Sequence, residues 1–185
     1  SQSIGQSLDQ SRAVCRRASG LGMRVRGYVS TAFGCPFGGD IAPSQVASVS
    51  GALVEMGAFQ VAVSDTIGIA HPGQVPEVVD VVASRIGIER VALHFHDTRG
   101  TALANVLAAL HIGVATFDAS AGGLGGCPYA PGATGNLATE DLVYMLDGLE
   151  IETGIDLKAL TEASAFMEPR VGHKLPSRYY RATRR

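Results

Sequence analysis

Residues 90–113 read RVALHFHDTRGTALANVLAALHIG: a short strand-like run, RVALHFH, followed by a segment whose apolar residues fall at helical spacing. The same alternation extends in both directions. MRVRGYVS (23–30) precedes the helix-like APSQVASVSGALVEMG (42–57), and FQVAVSD (59–65) precedes GQVPEVVDVVASRIG (73–87). VATFDAS (114–120) leads through a glycine-rich loop into LATEDLVYMLDGL (137–149). Strand and helix repeated in this way predict parallel strands joined by crossover helices, an α/β fold. The helices are expected to close on Gly57, Gly87 and Gly113.

Two architectures satisfy that pattern, an open doubly wound sheet and a (β/α)8 barrel. Four strands make half of a barrel, and complete barrels run to about 250 residues. Composition does not choose between them. At 185 residues, 46% hydrophobic and 17% charged, the chain has ample core-forming material. A net charge of −2 gives no reason to expect nucleic acid or an anionic membrane as partner. No apolar run approaches the roughly 18 residues of a membrane span. Cys15, Cys35 and Cys127 form an odd set without a C-x-x-C pair, which suits a reducing compartment.

Polar residues gather at the predicted carboxyl ends of the strands: Ser30, Asp65, His94 with His96, and Ser120. In parallel α/β folds that edge is where loops from several strands converge on a site. Alternation puts His94 and His96 on one face of their strand, with backbones roughly 6–7 Å apart, close enough for both rings to lean onto one ion. A pair of imidazoles hydrogen-bonded to neighbours satisfies the same spacing. Asp65 reads equally as a loop or cap carboxylate or as a functional group, and Asn136 as a cap for the helix that follows. Glu140 and Asp141 fall in that helix's first turn, where the helix dipole favours them without any catalytic duty.

The loop SAGGLGGCPYAPGATGN (120–136) has no lysine, so it is not a P-loop, and Pro128 stands where a dinucleotide fingerprint needs its third glycine. It carries Cys127 instead, either an unreactive loop thiol or a nucleophile or acid/base group of matched pKa. Cys15 and Cys35 read as packing residues.

RGYVSTAFGCPFGGDIAP, VSDTIG, HFHDTRGTALAN and ASAGGLGGCPYAPGATGNLATEDLVYML together resemble the 3-hydroxy-3-methylglutaryl-CoA lyase family, in order and spacing, through nearly the whole chain. The glycine–cysteine signature is the most specific of them. The resemblance implies a (β/α)8 barrel that cleaves 3-hydroxy-3-methylglutaryl-CoA to acetyl-CoA and acetoacetate with Mg2+ or Mn2+. It further implies that His94, His96 and Asn136 ligate the ion, that Cys127 is a catalytic thiol on a mobile loop, and that Asp65 and His94 share the proton traffic at the substrate hydroxyl. Ser64 departs from the family's usual glycine. No segment resembles the family's first half, which carries an aspartate ligand and an arginine on the first strand. The expectation is therefore a C-terminal half-barrel, strands five to eight, over residues 1–170 with a tail at 171–185, forming a homo-oligomer or associating with the other half. Location would be cytoplasmic in a bacterium or the mitochondrial matrix in a eukaryote. Related metal-dependent aldolases or Claisen-type condensing enzymes share the two-histidine strand, but usually carry Asn where Asp97 stands and lack GGCPYA. A catalytically silent half-barrel that binds a partner subunit or an acyl-CoA is the reading outside enzymes.

Overall fold

The structure, a computed structural model, describes residues 3–126 and 135–184. After α1 (Ile4–Gly20), opened by a reciprocal capping box between Ser3 and Gln6, four strand–helix units follow. They are β1 (Val25–Val29) with α2 (Pro43–Glu55), β2 (Ala58–Asp65) with α3 (Gln74–Ile86), β3 (Val91–Phe95) with α4 (Ala102–His111), and β4 (Phe117–Asp118) with α5 (Thr139–Gly148). Two helices close the chain, α6 (Leu157–Val171) and α7 (Arg178–Thr183).

All strands pair in parallel in the order β1-β2-β3-β4. A doubly wound sheet reverses its strand order at a switch point; this one does not. Helix α2 packs on α3, α3 on α4 and α4 on α5, so successive helices share one face of the sheet. That single winding decides between the two architectures: it is an arc of a (β/α)8 barrel.

Register sorts the side chains into two faces. Val61 lines up with Val91, Val63 with Leu93, and Asp65 with Phe95. This face is covered by the helices. The buried stripe of α3, Val75, Val78, Val79, Val82 and Ile86, lies at helical spacing and forms one core with Val61, Val63, Leu93 and Phe95. Each fully buried valine contributes roughly 1.5–3 kcal/mol. The helix stops at Gly87, whose φ of 86° is a conformation that side chains resist. The opposite face carries Arg26 beside Gln60, Tyr28 beside Ala62 and Ala92, and Ser64 beside His94 and Asp118.

The fourth strand is shorter than VATFDAS suggests. Only Phe117 and Asp118 form a ladder, and the run continues as single contacts, the Leu93 N–H donating to the Thr116 carbonyl at 3.0 Å and a bridge joining Ser120 to Ala138. Within residues 172–184, Leu175, Ser177 and Tyr180 are almost wholly buried.

Candidate active site

His94 is the penultimate residue of β3 and His96 follows its end, so alternation turns both rings to the same side. Their centroids are 5.2 Å apart with planes at 49°. The His96 N–H donates to the Asp65 carbonyl at 3.2 Å, which extends the β2–β3 pairing one step past the strand. Segment 135–137 then runs antiparallel across the strand end. The Asp97 N–H donates to the Gly135 carbonyl at 3.3 Å, the Leu137 N–H to the Phe95 carbonyl at 3.1 Å, and an isolated bridge joins His96 to Asn136. Three of the expected site residues, His94, His96 and Asn136, thus converge.

Asn136 is not a helix cap. Helix α5 starts at Thr139 with Ala138 at its N-cap, and the Asn136 amide donates instead to the Leu124 carbonyl at 2.9 Å. Gly125 makes this possible: its φ is 105°, and a Cβ there would stand 2.6 Å from the amide nitrogen of Asn136. The stem glycines therefore serve close approach.

Asp65 is at the expected strand end but on the other face. Aligned with Phe95, its carboxylate turns toward the helices and accepts the N–H groups of Ile69 (3.1 Å) and Ala70 (2.9 Å). Burial pushes its pKa up against those hydrogen bonds. The carboxylate is committed to shaping the turn after β2, and only its backbone reaches the histidines. Cys127 lies outside the described residues. Cys15 is buried, and Cys35 sits in a tight turn with Gly39.

Two charged residues of the site carry no motif. Arg26 Nη1 meets Asp118 Oδ1 at 2.7 Å and donates to the Tyr28 hydroxyl at 3.1 Å, while Asp118 Oδ2 lies 3.3 Å from His94 Nδ1. Burial pushes the Asp118 pKa up, but hydrogen bonds from His94 and Arg26 outweigh it and hold the carboxyl below its usual range. The Tyr28 hydroxyl is raised, first by burial and then by Asp118. The sequence shows a charge of each sign inside two strand-like runs, Arg26 in MRVRGYVS and Asp118 in VATFDAS, but not that they pair.

His96 is 5% exposed, and its Nδ1 is buried with no hydrogen-bond partner. Burial, and secondarily the neighbouring His94, lower its pKa from 6.5 to about 4. The ring is neutral at neutral pH, the state in which a nitrogen lone pair is open to a cation. An orphaned buried imidazole nitrogen next to a second imidazole and a carboxamide fits a divalent ion of nitrogen–oxygen preference. Among the described residues no three His, Cys, Asp or Glu side chains converge as a ready cage.

The His96 shift has a measurable consequence. Between pH 6.5 and 4 the unfolded chain takes up a proton that the folded chain refuses. Stability is present in full above the unfolded value and is lost as pH falls toward the folded one, by up to about 3 kcal/mol. Urea midpoints should drop from pH 7.5 to 4.5 more steeply in the natural chain than in His96→Gln. Equal slopes would show that His96 is not held neutral.

The adjacent carboxylates of α5 are structural. Glu140 is wholly buried and takes the Gly122 N–H on both oxygens (2.9 and 2.8 Å) as well as the Ser164 hydroxyl. Asp141 accepts the Ser177 hydroxyl (2.8 Å) and the N–H groups of Arg178 (3.0 Å) and Tyr179 (2.8 Å), which caps α7 from another element. Asp97 accepts the Ala102 N–H at the start of α4 (3.0 Å) and meets Arg178 Nη1 at 2.6 Å.

Fold and site together define a singly wound parallel β/α protein with a two-histidine centre at the carboxyl edge of its sheet. The chain belongs to the HMGL-like family, whose family model matches residues 1–167. It is 48% identical over 177 residues to the hydroxymethylglutaryl-CoA lyase of Bacillus subtilis, covering 96% of this chain and 59% of that protein. Against the mitochondrial hydroxymethylglutaryl-CoA lyase of Homo sapiens it is 46% identical over 181 residues, 98% of this chain and 56% of the other. The crystal structure of hydroxymethylglutaryl-CoA lyase from Pseudomonas aeruginosa superposes with a TM-score of 0.95 at 48% identity, over 98% of this chain and 60% of that one. The chain thus spans somewhat more than half the length of the relatives it matches. Both bacterial and mitochondrial relatives exist, and no helix among the described residues is long and apolar enough to cross a membrane.

Proposed function

We propose that this chain forms the paired-histidine part of an enzyme that cleaves 3-hydroxy-3-methylglutaryl-CoA to acetyl-CoA and acetoacetate. The observation that carries the reading is the juxtaposition of His94, His96 and Asn136 at the carboxyl edge of the sheet, in a chain nearly half identical to lyases of that name. Residues 1–170 correspond in this reading to the second half of the barrel, with the remainder supplied by further chain or by association.

His94, His96 and Asn136 would hold Mg2+ or Mn2+. Such an ion, when bound, acidifies the tertiary alcohol and holds its oxygen in place. The reaction removes the hydroxyl proton, turns that carbon into the ketone of acetoacetate, and leaves the electrons of the broken carbon–carbon bond on the α-carbon of the thioester. One proton on that carbon completes acetyl-CoA. A His94 that ligates through Nε2 and gives its Nδ1–H to Asp118 would have no lone pair left for a proton. Its share in the proton traffic would be to hold the ion that acidifies the hydroxyl. Asp65 contributes through the turn it holds and the carbonyl it offers to His96. Cys127, on the loop rooted at Gly122–Gly125, is the thiol assigned to the enolate.

The test is acetoacetate release from 3-hydroxy-3-methylglutaryl-CoA with Mn2+ and again with a chelator. It would be run on the chain alone and on the chain joined to a segment supplying the rest of the relatives' length. Metal-dependent release in either form supports the reading, and Cys127→Ala should then lose most turnover with Mn2+ affinity nearly unchanged. Absence of release in both forms, or release indifferent to the chelator, sinks it.

A further inference from the structure

Arg26 and Asp118 sit 92 positions apart in sequence and face each other across the open side of the sheet. One oxygen of Asp118 is taken by the guanidinium at 2.7 Å, and the other lies 3.3 Å from His94 Nδ1. Backbone register seats this arrangement, since Asp118 is the direct partner of His94 in the β3–β4 ladder. Arg26 is fixed in turn by its second contact, the Tyr28 hydroxyl at 3.1 Å. Neither Arg26 nor Asp118 is more than a quarter exposed, so water competes poorly for either contact.

An ionised carboxylate can only accept hydrogen bonds, and a guanidinium can only donate them. With Arg26 on Oδ1, the chain of contacts has one consistent polarity: His94 must carry its proton on Nδ1, which leaves the lone pair on Nε2. We propose that Asp118, clamped by Arg26, is a positioning residue that locks His94 in the Nδ1–H tautomer and presents Nε2 to the ligand. Its relevance to a metal rests on the function proposed above; the tautomer itself does not. Carboxylates behind metal-ligating histidines typically carry about 10–100-fold in metal affinity.

The clamp makes an isosteric substitution unusually informative. In Asp118→Asn, Arg26 must keep the carboxamide oxygen, because it has only donors to offer. The amide NH2 is then turned toward His94 Nδ1, which has to become an acceptor, and the proton moves to Nε2. The tautomer inverts with no change of shape. Replacing Arg26 by methionine in the same variant removes the donor-only pin. The Tyr28 hydroxyl, which also bonds Asp118, can donate or accept, so the carboxamide can turn its oxygen back to His94. The double variant Asp118→Asn/Arg26→Met should therefore recover what the single one lost.

The experiment reads the imidazole nitrogens by long-range proton–nitrogen NMR on the histidine-labelled, metal-free chain, and Mn2+ binding by electron paramagnetic resonance. Expected are an Nδ1–H His94 in the natural chain, an Nε2–H His94 in Asp118→Asn with Mn2+ affinity down about 10–100-fold, and return toward Nδ1–H with partial recovery of affinity in the double variant. A natural chain with His94 protonated on Nε2 overturns the proposal, as does a double variant no better than the single one. A natural chain that shows the Nδ1–H tautomer but binds no Mn2+ leaves the positioning role standing and removes the metal reading. Should Asp118→Asn fail to fold, the natural chain's tautomer alone decides the first point, and Arg26→Met, which unpins the carboxylate, should broaden the His94 signals.

Discussion

Alanine at His94 is expected to weaken Mn2+ binding by more than about 100-fold, beyond what an outer partner of a ligand usually carries, while the fold survives. The imidazole is only partly buried, and its neighbours stay satisfied without it. Asp118 keeps its ion pair with Arg26, and Tyr28, which meets His94 edge-on at 6.4 Å, keeps the guanidinium contact. No uncompensated charge is left inside the protein, so the loss of stability should stay near or below about 1 kcal/mol. Titration of free Mn2+ by electron paramagnetic resonance and a thermal melt separate the two effects. An unchanged isotherm in a chain whose natural form binds the ion would mean that the histidine pair is not the centre.

Removing Glu140 should do the opposite, unfolding the protein while no site residue is touched. Its carboxylate is inaccessible to water and satisfies the Gly122 N–H and the Ser164 hydroxyl at once. In Glu140→Ala both donors are stranded and a cavity opens among α5, α6 and the 3-10 turn at Ala121–Gly123. Stranded donors cost about 1–3 kcal/mol each and the cavity adds to them, for a total of about 3–5 kcal/mol. Glu140→Gln should fall between, because one of its two polar atoms becomes a donor facing a donor. Urea unfolding of the three proteins measures the ranking, and an alanine variant with the natural midpoint would refute the structural role.

Local order was open to inspection in the residues. The helical stripe of α3 and the glycine that stops it are both visible in GQVPEVVDVVASRIG, and the shared face of His94 and His96 follows from the period of a strand. Strand order is a different kind of fact. Barrel and doubly wound sheet use the same local units, and only the sequential β1-β2-β3-β4 pairing separates them. Position at a strand end likewise says nothing of which face a side chain takes: Asp65 stands level with the histidines but aligns with Phe95. The Arg26–Asp118 contact depends on the register of strands that touch no common neighbour in sequence, so nothing near either residue announces it. Asn136 illustrates the scale of boundary errors, since a helix that begins two residues later than expected changes a cap into an amide that fastens a loop.

The two neighbouring carboxylates on α5 bear on the timescale of motion. Glu140 grips the amide at the root of the glycine loop, and Asp141 grips the first amides of α7. Through one turn of helix, two segments separated by some fifty residues are tied to the same post. Their amide protons should therefore exchange with solvent together, at the slow rate of an opening that frees both, although one of the segments has a composition that on its own would suggest rapid exchange.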